Sequence, residues 1–211
     1  MDLGFNCYHV FNKSIAGYVI FRDSDDYLRM LGILNYYRFI SPPVKYSIFI
    51  SAPESFQLSQ NMNSDVLVRL LAYCLMPTHF HFVVQTNYPT GLSEYLKIVL
   101  NAYTRYFNQR YGRKGPLWQG RVKRVSVGVG ESFLHVTRYV HLNPVTAYMV
   151  DDPVDWEYSS YGAYVGNVDK RFTGMVCKDY VEMSSNDYRK FVTNHKEEQR
   201  LQAKYNKLFL E

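Results

Sequence analysis

The chain predicts a ferredoxin-like two-layer α/β sandwich with a mixed, mainly antiparallel sheet and a C-terminal helical appendage. Three observations carry this expectation. Segments of strand and helix periodicity follow one another in the order β-α-β-β-α-β-α. The chain has 211 residues, of which 47% are hydrophobic and 20% charged, enough for one substantial core and unlike a disordered chain. Beyond about Gly166 the composition shifts, and 186–211 is charged with helical tendency. We therefore read 1–167 as the domain and 168–211 as the appendage.

The elements are justified in order. Residues 7–13 alternate, with Tyr8 and Val10 opposed to His9 and Phe11. Ser24 precedes Asp25-Asp26 as a helix N-cap, and Leu28, Leu31, Ile33 and Leu34 give 27–39 helical spacing. Pro42-Pro43 ends that helix. Residues 46–50 and 66–75 read as strands, Pro77-Thr78 breaks the pattern, and 79–85 reads as the next strand. Tyr95, Val99, Tyr103 and Tyr106 mark a long amphipathic helix over 92–111. A basic loop over 112–120 leads to a strand at 121–127. A short helix over 132–142 stops at Asn143-Pro144.

Composition narrows the function classes. Cys7, Cys74 and Cys177 are odd in number and widely spaced, which argues against a disulfide framework or a zinc ribbon. No signal peptide opens the chain and no apolar run reaches the roughly 18 residues of a membrane span, so a cytoplasmic protein without membrane contact is expected. The net charge is +5, but 101–124 alone carries seven basic residues and no acid, leaving the rest of the chain at −2. Those seven are Arg105, Arg110, Arg113, Lys114, Arg121, Lys123 and Arg124. They interleave with Tyr103, Tyr106, Phe107, Tyr111 and Trp118, a pattern suited to neutralising phosphates and stacking unpaired bases. The bland alternative is a solvated helix face over an aromatic core.

Two further groupings carry chemistry. His79 and His81 are two apart on a strand and share a face, with Phe80, Phe82 and Val84 turned to the core. Such a pair is able to converge on one cation, or to be two solvated histidines. On 132–142, Phe133, Val136 and Val140 form an apolar stripe, beside a polar stripe of Ser132, His135, Tyr139 and Asn143. Tyr139 and Asn143 lie one turn apart. They suit a nucleophile beside a metal ligand, or equally a half-buried phenol and a helix cap.

Taken together these motifs resemble the IS200-like, single-tyrosine (Y1) transposases of the HUH class, and among them the REP-associated tyrosine transposases. The matching residues run in order. They are Tyr8-His9-Val10, Ile20-Phe21, Asp26-Tyr27, Leu75-Met76-Pro77-Thr78-His79-Phe80-His81 and Tyr103-Thr104-Arg105-Tyr106-Phe107-Asn108. Then come Gly115-Pro116-Leu117-Trp118-Gln119-Gly120-Arg121, Tyr139-Val140-His141-Leu142-Asn143-Pro144-Val145 and Trp156 with Ser159-Ser160-Tyr161 and Tyr164. The chain departs from the pattern at Thr78, where the family usually has Asn, and at Asn12-Lys13-Ser14, which lacks the usual Arg-Gly.

The resemblance implies an enzyme that cleaves and rejoins single-stranded or hairpin DNA through a 5′-phosphotyrosine link. It implies Tyr139 as nucleophile and a divalent ion, Mg²⁺ or Mn²⁺, on His79 and His81, with Asn143 as candidate third ligand. It implies DNA contacts from the seven basic residues and Trp118, and action as a monomer or homodimer. The competing readings are a non-catalytic nucleic-acid-binding derivative, a metal-dependent hydrolase that uses water, and a nucleophile on the long helix, Tyr103 or Tyr106.

Overall fold

The structure, a computed structural model, describes residues 6–52, 65–167 and 169–210, with side chains as far as Tyr205. Strands β1 (Cys7–Lys13), β2 (Arg69–Met76), β3 (His79–Gln85) and β4 (Lys123–Val127) form one sheet in the order β2-β3-β1-β4. Every strand pairing in it is antiparallel, so the sheet is not mixed. Parallel character is confined to an isolated bridge between Leu70 and Val176. Helix α1 (Ser24–Tyr37) connects β1 towards β2, α3 (Gly91–Arg110) connects β3 to β4, and the short α2 is Tyr46–Phe49.

Strand alternation sorts the core. Val10, Leu70, Tyr73, Leu75, Phe80, Phe82 and Val84 turn to one face, where α1 and α3 cover them with Met30, Leu34, Val99 and Tyr103. The other face holds Cys7, Ala72, Cys74, Met76, Val83 and Val127. Helix α4 (Glu131–Thr146) lies across it on Phe133 and Val140. The apolar stripe read from the sequence is thus the stripe that seats this helix, and both faces of the sheet are covered.

Beyond α4, the short α5 (Tyr161–Tyr164) and the helices α6 (Ser185–Thr193) and α7 (Lys196–Leu210) follow. Tyr188 and Val192 of α6 pack with Leu142, Val145, Tyr161 and Tyr164 in a third cluster. His141 ties this cluster together: its Nδ1 is 2.8 Å from the Tyr188 hydroxyl and its Nε2 is 2.7 Å from Ser160 Oγ. The division expected between 167 and 168 falls at a residue outside the described ones.

Three local expectations are corrected. Asp23, not Ser24, caps α1: its backbone is extended and its carboxylate accepts from the Asp26 N–H. Residues 46–50 form α2 rather than a strand. Five alternating residues are too few to separate the two periods. Here the Tyr37 hydroxyl accepts from the Tyr46 N–H while Tyr46 and Phe49 pack on Tyr36. Helix α4 runs through Asn143-Pro144 to Thr146 instead of stopping. Pro144 has no N–H to offer the Val140 carbonyl. The Asn143 side chain makes up the loss, its Nδ2 donating to the Tyr139 carbonyl at 2.9 Å and the Val140 carbonyl at 3.4 Å.

Candidate metal and nucleophile site

The α4 face of the sheet brings His79, His81 and Tyr139 together. On β3, His79 and His81 point to this face, with ring centroids 5.3 Å apart and planes nearly perpendicular. From α4, the Tyr139 ring meets His81 edge-on at 5.5 Å. A residue to which the sequence reading gave no role completes the cluster. His9 of β1 stacks on His81 at 5.2 Å, and its Nε2 lies 3.0 Å from His81 Nδ1. His9 also meets Tyr139 edge-on at 5.7 Å. Its sequence signals are its alternation with Tyr8 and Val10 and its place in the Tyr8-His9-Val10 match, neither of which gives it a role. The strand register, which sets Phe11 opposite His81, is what turns that alternation into a contact.

The donor set fits a divalent ion. His79 Nδ1 is 3.1 Å from Thr78 Oγ1, and His81 Nδ1 is engaged by His9. Among the described residues neither Nε2 has a hydrogen-bond partner, so both imidazoles keep a nitrogen for a cation. Thr78, where the family pattern has Asn, therefore still holds the ring that follows it. Burial pushes His79 down to about 4, helped by the charge of Lys13, and places His81 well below the usual histidine range. Burial also pushes His9 down to about 4. All three are neutral at pH 7, the form a metal ligand needs. The described residues hold no group of three His, Cys, Asp or Glu able to bind a metal by themselves. Any further protein donor must come from another residue type. The Oδ1 of Asn143 is without a partner among the described residues, since only its Nδ2 is used.

A cleft of about 530 Å³ opens beside His79 and His81, lined also by Phe11, Lys13, Thr78 and Lys123 among others. Tyr139 keeps 42% of its surface exposed. Burial against the sheet raises its pKa above the ordinary phenol value. Arg138 does not offset this: its guanidinium lies over the Phe191 ring and 3.4 Å from His135 Nδ1. The rival phenols are elsewhere. Tyr103 is fully buried under the opposite face, donating to the Ile20 carbonyl, and the Tyr106 hydroxyl donates to Asp26.

The family described as "Transposase IS200 like" matches residues 38–143, half of the chain. The chain belongs to this family. A solved structure of a REP-associated tyrosine transposase bound to a REP hairpin aligns with a TM-score of 0.52 and 15% identity, covering 85% of this chain and 87% of that one. That likeness is one of fold. Among curated proteins nothing matches this chain.

In this IS200-like transposase the basic segment divides into two groups. Arg110 is locked in a carboxylate cluster, 2.9 Å from Asp23, 3.3 Å from Asp25 and 2.8 Å from the fully buried Asp26. Arg113 closes the basic loop, donating to the Pro116 carbonyl at 2.7 Å and to Asn108 Oδ1 at 3.2 Å. Trp118 is half-buried against Phe80 and donates from Nε1 to Thr104 Oγ1 at 3.0 Å. All three make contacts within the fold. Lys114, Arg121, Lys123 and Arg124 are exposed. Lys123 lies at the histidine cleft, its ammonium 6.0 Å from the Phe11 ring centre. Arg105 lines a separate groove with Arg29, Lys45 and Lys97 on the outer side of α1 and α3. The transposase has no described helix long and apolar enough to cross a membrane.

Proposed function

We propose that this transposase cleaves and rejoins single-stranded DNA at hairpin-bearing sites, with Tyr139 as nucleophile and a divalent ion held by His79 and His81. The supporting observation is the meeting of one half-exposed phenol with the neutral imidazole cluster on one sheet face. The fold-neighbour's hairpin ligand supports the choice of partner.

When bound, Mg²⁺ or Mn²⁺ supplies charge neutralisation at the scissile phosphate. His79 and His81 would hold it, and the Asn143 amide oxygen on α4 would be the candidate third ligand. Lys123 at the cleft wall offers a positive charge to a backbone phosphate. The Tyr139 oxygen attacks phosphorus and releases its proton. The bond from phosphorus to the 3′ oxygen breaks, and that oxygen leaves as a protonated 3′-hydroxyl. Tyr139 then carries the 5′-phosphate as a diester. A second 3′-hydroxyl attacks that diester, restores the phenol and joins the strands without ATP. The imidazoles and the Tyr139 ring come together within one chain, which supports action as a monomer.

The experiment is incubation with a hairpin oligonucleotide and Mn²⁺, followed by mass mapping of any peptide–DNA adduct. The expected adduct is on Tyr139. Binding without an adduct supports the non-catalytic reading, and free 5′-phosphate ends without an adduct support a water-using hydrolase.

A further inference from the structure

Three features outside the roles already assigned invite a reading. One is the basic groove at Arg29 and Arg105, and another is the buried His141–Tyr188–Ser160 linkage. The third, His9, carries the furthest because its geometry limits which atoms of His81 are available.

We propose that His9 is a positioning residue: it accepts a hydrogen bond from His81 Nδ1 and so holds His81 with its Nε2 lone pair free for the cation. This rests on the reading of His79 and His81 as metal ligands. The contact is 3.0 Å between His9 Nε2 and His81 Nδ1. A hydrogen bond between two nitrogens at this distance holds a single proton, a ligating imidazole is neutral, and there are then two ways to place the proton. If His9 Nε2 carries the proton, His81 must carry its own on Nε2 and has no lone pair there. If His81 Nδ1 carries it, His9 is the acceptor and His81 Nε2 is free. Only the second arrangement permits ligation by Nε2. A ligating histidine commonly has its other nitrogen fixed by a partner of this kind.

The surroundings keep His9 in that role. Its ring is held between Phe11 at 5.0 Å and Tyr139 at 5.7 Å, and it stacks on His81 with an interplanar angle of 18°. Its cross-strand partners are Val83 on β3 and Val125 on β4. The charged neighbour on this face is Lys123 of β4, paired with Phe11 and so diagonal to His9. Thr78 stands in the same relation to His79 Nδ1 at 3.1 Å, so each imidazole of the pair has its Nδ1 occupied. His9 also lies outside the matched family region of 38–143.

The test uses the full chain. Long-range ¹H–¹⁵N correlation spectra of the metal-free protein report which His81 nitrogen carries the proton. The expected result is protonation at Nδ1 in the wild type and a shift towards Nε2 in His9→Phe, which keeps a ring but no acceptor. Mn²⁺ affinity, followed by water proton relaxation, should fall about 10- to 100-fold in His9→Phe. It should recover to within several-fold in His9→Gln, whose amide oxygen accepts.

Protonation of His81 at Nε2 in the wild type overturns the proposal even if the variants do not fold. So does an unchanged His81 tautomer with unchanged Mn²⁺ affinity in His9→Phe. Three coordinated ¹⁵N nuclei in the electron spin echo of the Mn²⁺ complex would make His9 a ligand and overturn it as well. A wild-type chain that binds no Mn²⁺ but protonates His81 at Nδ1 sinks the metal reading while leaving the His9–His81 bond supported.

Discussion

Tyr103 on α3 and Tyr139 on α4 lie on opposite faces of one sheet, and the contrast between them is one of burial and exposure. Tyr103 is fully buried, its hydroxyl spent on the Ile20 carbonyl, and burial with the nearby Asp26 raises its pKa far above the ordinary value. Tyr139 is 42% exposed and its ring edge faces two histidines. Both are tyrosines at helical spacing on amphipathic helices. The difference is which face of the sheet each helix covers. One face is closed by two helices and a continuous aromatic core. The other is covered by α4 over Cys7, Ala72 and Val83, and opens at its His79 end into a cleft.

The largest expected effect tests this contrast directly. Tyr139→Phe should abolish the covalent adduct with hairpin DNA while DNA binding persists, by gel shift and mass mapping. Tyr103→Phe should keep the adduct and lose about 1–2 kcal/mol of stability, from the unpaired Ile20 carbonyl. The reverse pattern would move the nucleophile to α3. Next in size, His79→Ala and His81→Ala should each lower the Mn²⁺-dependent cleavage rate at least about 100-fold, with the hairpin dissociation constant little changed.

The comparison extends to the cations. Removing Arg110 leaves the buried Asp26 without its ion pair, so Arg110→Ala should cost about 2 kcal/mol or more in urea unfolding. Lys114→Ala and Arg121→Ala should leave the urea midpoint unchanged and weaken DNA binding. Each lost phosphate contact should reduce the log–log salt slope by about 0.7–0.9. A fall in affinity without a change in slope would exclude direct phosphate contact.

A further effect is in acid. Burial pushes His141 down to about 3, so the folded chain holds it neutral while the unfolded chain protonates near its ordinary value of about 6.5. Its contribution to stability is complete above pH 6.5 and is lost as the pH falls towards 3. Urea midpoints of the metal-free protein should be flat above pH 7 and decline between pH 6.5 and 4. His141→Phe should make that decline shallower. An unchanged slope would mean that His141 titrates alike in the folded and unfolded chain.

Much of the site was readable because its spacing is local. His79 and His81 share a face because a strand alternates, and Tyr139 with Asn143 share one because a helix repeats near four residues. The fold was readable for the same reason: the order of periodic segments fixed β1, β3, α1 and α3 within a few residues. The errors fell where a local rule met a tertiary contact. The 46–50 segment alternates like a strand but is drawn into a helix by the Tyr37 hydroxyl and Tyr36. Pro144 should end a helix, but the Asn143 side chain and packing of Leu142 and Val145 carry α4 on. Arg110, Arg113 and Trp118 share the composition of a DNA-binding stretch. Their partners, Asp23, Pro116 and Thr104, show that they also make contacts within the fold, which composition did not reveal.

The sequence by itself determined the family pattern, the periodicities and the candidate side chains of the site, because these reside in residue types at short separations. Only the tertiary structure decided which residues meet. Strand register carried His9 to His81 across 72 positions, and the packing of α4 on the second sheet face brought Tyr139 to both. Contacts between distant segments depend on how whole elements dock, and local periodicity carries no information about that distance.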